Sequence, residues 1–138
     1  DKLQNMTTLK SYRDLRVWQG AVSLSVQIYN VTDKFPKTEV YGIISQMRRS
    51  SVSIASNIAE GFGRTDIEFN RFLRIAISSL AELETQIEIA FRVSYLTVTD
   101  YEMLNELTNA LGRQINALIR SIQQTTSGST HQRLTADD

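Results

Sequence analysis

Cysteine is absent from this 138-residue chain, so disulfides, thiolate metal sites and a cysteine nucleophile are all excluded. Histidine occurs once, as His131 close to the C-terminus. Zinc, haem and Ser-His-Asp chemistry each need ligands or bases that the chain therefore lacks. No stretch approaches the roughly 20 consecutive apolar residues of a membrane span, and the N-terminus has no apolar signal core. The expectation is a cytoplasmic protein with no membrane partner, no cofactor, no metal and no enzymatic activity. Charge of one sign is also missing in excess, with 15 basic and 15 acidic residues. The distribution is uneven, because residues 75–138 carry four basic and eight acidic groups while residues 1–37 carry six and three. A neutral chain of this kind can still present one basic face.

Proline occurs once, at Pro36, and glycine six times, which leaves little to interrupt long helices. The apolar periodicity predicts an all-α, up-and-down antiparallel four-helix bundle over residues 12–124. An N-terminal extension occupies 1–11, with 1–5 a candidate vector-derived remnant ahead of Met6, and a disordered tail occupies 125–138. The first helix spans Tyr12–Thr32, with Leu15, Trp18, Val22, Ser25 and Tyr29 as one stripe and Ala21, Leu24 and Ile28 beside it. Phe35-Pro36 ends it, since the residue before proline is driven out of the helical region. Thr38 then reads as the N-cap of a second helix striped by Val40, Ile44, Met47, Ser51, Ile54 and Ile58. Gly61-Phe62-Gly63 stops that helix. Thr65 with Glu68 reads as a capping box opening the third, whose stripe runs Phe69, Leu73, Ala76, Leu80, Leu83, Ile87 and Ala90. Thr99 with Glu102 reads as the same device for the fourth, striped by Leu104, Leu107, Leu111, Ile115, Leu118 and Ile122. Short connections between long helices force antiparallel neighbours.

A four-helix bundle invites a di-metal carboxylate site, but that centre needs Glu-x-x-His motifs. Glu82, Glu84 and Glu88 therefore read as solvated carboxylates. The outer side of the second helix is unusual: beside Arg49 and Glu60, the residues Ser50, Ser53, Ser56 and Asn57 stand where lysine and glutamate would suit a purely solvated face, which makes all six candidates for an oligomer interface. Small polar residues admit a closely approaching helix, either from within the bundle or from another copy of the chain. Tyr41 and Phe62, near opposite ends of that helix, are further candidates for an oligomer contact. Asn57 and Glu60 with Arg48 or Arg49, and with Glu82, would also suit a buried polar network that fixes register. A separate basic set, Arg48, Arg49, Arg64, Arg71 and Arg74, surrounds the turn between the second and third helices and would suit RNA or DNA phosphates. No aromatic platform or nucleic-acid motif accompanies it.

The segments LKSYRDLRVWQGA, IYNVTDKFPKTEVYGIISQMRRSSVSIASNIAEGFGR and EFNRFLRIAISSLAELETQ together resemble a family of bacterial four-helix bundle proteins. The family is named for reading frames in intervening sequences of 23S ribosomal RNA genes, and the resemblance covers residues 9 to about 122. It implies an up-and-down bundle associating as a closed homopentamer. Related proteins accompany diversity-generating reverse transcriptases and bind nucleic acid and the polymerase through a basic surface, which would correspond here to Arg48, Arg49, Arg64, Arg71 and Arg74. No biochemical activity follows from the resemblance, and any further protein partner stays unnamed.

Overall fold

The computed structural model describes residues 9–136, with side chains described through Thr126. Met6 and the segment ahead of it lie outside the described residues. Four α-helices follow in order: α1 Arg16–Thr32, α2 Ile43–Gly61, α3 Asp66–Arg92 and α4 Val98–Ala136, with no strand among the described residues. Neighbours in the bundle are α1 with α2, α2 with α3, α3 with α4, and α4 with α1. Each pair is antiparallel. Ser25 bonds Ser51 while Thr32, further along α1, meets Arg48. Likewise Ser53 bonds Ser79 while Gly61 abuts Phe72.

The core follows from the heptad stripes. Met47, Ile54 and Ile58 of α2, Leu73, Leu83 and Ile87 of α3, and Leu104 and Ile115 of α4 are fully enclosed. In α1 the core takes the stripe of Ala21, Leu24 and Ile28, joined by Leu15 from the start of the other. Val17, Ala21, Leu24, Ile28 and Val31 form the core edge, whereas Tyr29 is exposed and Trp18 is only half-buried. Two adjacent apolar stripes on one helix cannot both face a four-helix core, and the smaller, more regular one occupies it.

Three helix starts also differ from expectation. Tyr12–Asp14 is a separate 3-10 turn, capped by Ser11 Oγ accepting from Arg13 N (3.1 Å) and Asp14 Oδ2 accepting from Ser11 N (3.2 Å). Leu15 is extended, so α1 begins at Arg16. Thr38 sits inside a 3-10 turn, Lys37–Glu39, and caps nothing. The start of α2 is served instead by Glu39, whose Oε2 accepts from Ile43 N at 3.4 Å while Oε1 accepts from the Tyr95 hydroxyl at 3.1 Å. For α4 the cap is Thr97, accepting from Asp100 N at 3.1 Å, two residues ahead of the expected Thr99. Thr65 caps α3, accepting from Glu68 N at 3.3 Å, but the return bond from the Glu68 side chain that would complete the expected capping box is absent among the described residues.

The α2 stop separates two glycine roles. Gly63 supplies a left-handed conformation (φ 85°), whereas Gly61 is required by closeness: a Cβ there would lie 2.6 Å from Phe72 Cβ. The backbone of α4 stays helical past Thr125, where an irregular tail was expected, and the Thr125 and Thr126 hydroxyls bond the carbonyls of Ser121 and Ile122.

Candidate functional site

A lengthwise groove between α1 and α2 is lined by the stripe of α1 that the core does not use. Tyr12, Trp18, Val22, Val26 and Tyr29 form one wall and Val52, Ala55 and Ala59 the other, around a volume of about 470 Å³. A second depression of about 410 Å³ shares Tyr29 and Val52 with it and carries on to Val40, Ile44, Arg48 and Arg49. Along this face Val26, Tyr29, Val40 and Val52 are all substantially exposed; Tyr41, which lines neither depression, is 95% exposed. Contiguous exposed apolar patches are uncommon on monomeric proteins and are often functional. Trp18 is held edge-on to Tyr12 at 5.3 Å, and Arg13 lies 5.4 Å from its ring, which fixes the groove's far end.

The polar residues of α2 are divided between the interior of the bundle and its surface. Ser50 is buried and donates to the Gln46 carbonyl at 2.9 Å, so its hydroxyl is spent within its own helix. Ser53 pairs with Ser79 across the α2/α3 seam at 2.9 Å, and Asn57 Nδ2 donates to Ser53 O at 2.8 Å. These three serve packing inside the subunit. Phe62 does likewise, half-buried and edge-on to Phe69 at 6.2 Å. Arg49, Ser56 and Glu60 point outward, as does Tyr41. The anticipated register network does not form: Glu60 pairs with Arg64 at 2.8 Å, and Arg48 donates to Thr32 Oγ1 at 3.0 Å.

The five arginines fall into separate sets. Arg48 stacks 4.6 Å over the Tyr29 ring beside Arg49 in the second depression. Arg64 and Arg71 both approach the Phe72 ring, at 5.0 and 4.9 Å, beyond the other end of α2. At 1.5 Å per residue, Arg48 is about 20 Å from the Gly61 end of that helix. Arg74 is exposed, and among the described residues Arg49, Arg71 and Arg74 form no ion pair with a carboxylate.

At the opposite end of the bundle, tyrosines hold two carboxylates in place. Tyr101 donates to Glu88 Oε1 at 2.5 Å and Arg92 Nε to Glu88 Oε2 at 2.8 Å. The Tyr101 hydrogen bond, followed by that from Arg92, pulls the Glu88 carboxyl below the ordinary glutamate range. The bond to Glu39 pushes the Tyr95 phenol upward. These contacts tie the α3–α4 turn to the rest of the bundle. No three His, Cys, Asp or Glu side chains converge as a metal site among the described residues, and no described helix is long and apolar enough to cross a membrane.

Sequence reasoning identified the outward part of α2 but missed the α1 wall of the groove. Its signal was present in Trp18, Val22 and Tyr29, a second apolar stripe with no place left in the core.

Antiparallel four-helix topology with a groove on one outer face places the chain among small up-and-down bundles. It belongs to the 23S rRNA-intervening sequence protein family, whose model matches residues 13–117. Its fold is similar to that of a Bacteroides thetaiotaomicron protein of unknown function from the S23 ribosomal protein family. That likeness has a TM-score of 0.67 at 24% identity, over 75% of this chain and 97% of the other. No curated protein matches the chain.

Proposed function

We propose that this chain is a non-enzymatic scaffold or adaptor subunit that assembles with copies of itself into a closed ring of five in the cytoplasm. The observation that carries the reading is the α1/α2 groove, where large apolar side chains remain exposed along the bundle. Water contact at Tyr29, Val52 and Trp18 costs free energy that a partner surface recovers, roughly 25 cal/mol for each Å² covered. The number five rests on the family resemblance in sequence. Val52→Arg tests the reading because Val52 is exposed on the groove wall and its replacement leaves the core intact. Sedimentation velocity is expected to give one oligomeric species for the parent protein. The variant should be a monomer with unchanged helical circular dichroism. An oligomer that survives Val52→Arg removes the groove from the interface.

A second reading is favoured by Arg71 and Arg74, which are exposed and form no ion pair with a carboxylate among the described residues. In that reading the assembled protein binds RNA or DNA as an accessory factor. Affinity would then fall with salt, each neutralised phosphate adding about −0.7 to −0.9 to the log–log slope. Absence of binding at low salt ends it.

A further inference from the structure

Cyclic assembly needs two different surfaces on each subunit, one meeting the other on the next copy. Among the described residues the exposed large apolar side chains sort into two lengthwise sets with Tyr41 and Val98 apart. One set is the α1/α2 groove. The other is a ridge on α3: Ile67, Ile75, Ile89 and Val93 follow one another at intervals of eight, fourteen and four residues. Those intervals are about two, four and one helical turns, so all four lie within one outward strip. A convex helix ridge and a concave interhelical groove are complementary shapes.

We propose that the α3 ridge of one subunit seats in the α1/α2 groove of the next, with the ring axis parallel to the helices. This assignment rests on the homo-oligomer reading above. Both surfaces run along the bundle, which suits side-by-side packing. Rotation about such an axis leaves every residue at its own height, so only residues at equal height can meet. The heights are fixed within the subunit, because Ser53 is level with Ser79 and Gly61 with Phe72. Arg49, four residues before Ser53, is therefore level with Leu83, next to Glu82, and Ser56 with Ala76, next to Ile75. The charges agree with this register. Arg49 and Glu82 are both exposed, and neither forms an ion pair among the described residues. Glu82 accepts from Gln86 Nε2 at 3.4 Å. Between subunits, Arg49 meets Glu82 and Ser56 meets Ile75.

The absence of cysteine makes the test direct. Ser56→Cys and Ile75→Cys single variants are co-expressed, and the purified protein is treated with a short bis-maleimide linker. Cross-linked dimers containing one chain of each variant are expected, with none from either variant alone. Ile89→Cys in place of Ile75→Cys should not link, since it lies about 20 Å further along α3. Linking of Ser56→Cys chains to each other would establish two-fold packing and overturn the proposal. So would an intact oligomer in which only the Ile89 pair, or neither pair, reacts. In both cases the homo-oligomer reading survives. A parent protein that is monomeric by light scattering instead refutes that reading, and this one with it. A charge-swap check is independent of linker reach: Arg49→Glu should dissociate the ring and Arg49→Glu with Glu82→Arg restore it. Failure of the double variant to reassemble removes the Arg49–Glu82 register.

Discussion

The two glycines at positions 20 and 61 should respond in opposite directions to the same substitution. At Gly61 a Cβ would stand 2.6 Å from Phe72 Cβ and 3.1 Å from Phe69 Cδ1. Phe72 Cβ is anchored to the α3 backbone and cannot rotate away, so α2 and α3 must separate at their shared end. Overpacking of this kind costs about 1–3 kcal/mol. The backbone-entropy gain of alanine over glycine, about 0.5–1 kcal/mol inside a helix and less at its last residue, offsets part of it. Gly61→Ala is therefore expected to lose about 1–2 kcal/mol, lowering Tm by roughly 3–8 °C for a domain of this size. At Gly20 the Cβ would meet Leu111 Cδ1 at 3.5 Å and Gln114 Oε1 at 3.8 Å, ordinary contacts. Gly20→Ala should keep the full helix gain and raise Tm by a few degrees. Thermal unfolding followed at 222 nm, at one fixed protein concentration, measures both, because oligomer Tm depends on concentration. A Gly61→Ala protein as stable as its parent would refute the close-packed α2/α3 end.

Four further outcomes follow from named contacts. Thr97→Ala should destabilise by about 1 kcal/mol in urea unfolding while Thr99→Ala changes little, since only Thr97 accepts from Asp100 N. Ser94 holds φ at 68° after α3, and Ser94→Gly should gain up to about 1 kcal/mol in the same assay. Glu88 is held below its ordinary range by Tyr101 and then Arg92. Its depressed folded value means the stabilisation is present above the unfolded glutamate pKa and is lost as pH falls through the folded one. Glu88→Gln should thus flatten that part of the acid limb of a stability-versus-pH curve. Tyr95 is shifted the other way by Glu39, so its ionisation in an ultraviolet titration should move to lower pH in Glu39→Gln.

The bundle was legible in the sequence because three of its four core stripes have no adjacent competitor. The outward ridge of α3 lies on the far side from its core stripe, and each predicted core position of α2 is buried except Val40, which precedes the helix and is exposed. Helix α1 carries two adjacent apolar stripes, and periodicity alone does not say which one a neighbour covers. Tertiary placement decided it, with Ala21 and Leu24 inward and Trp18 and Tyr29 on the groove. The α2 start was misplaced for a different reason. Thr38 is a sound N-cap residue locally, but Glu39 is fixed from 56 residues away by Tyr95, a contact no local pattern records. Of the small polar residues singled out on α2, Ser53 meets α3 through Ser79, while Ser50 and Asn57 bond within their own helix. The outward remainder, Arg49 and Ser56, lies beside the groove where the proposed interface falls.

The central claim, self-assembly through the α1/α2 face, is tested most directly by native mass spectrometry of the untagged protein. A dominant ion series at five times the chain mass of 15.7 kDa is predicted, collapsing to one chain mass in Val52→Arg. A parent protein that flies only as a single chain at micromolar concentration would contradict the claim.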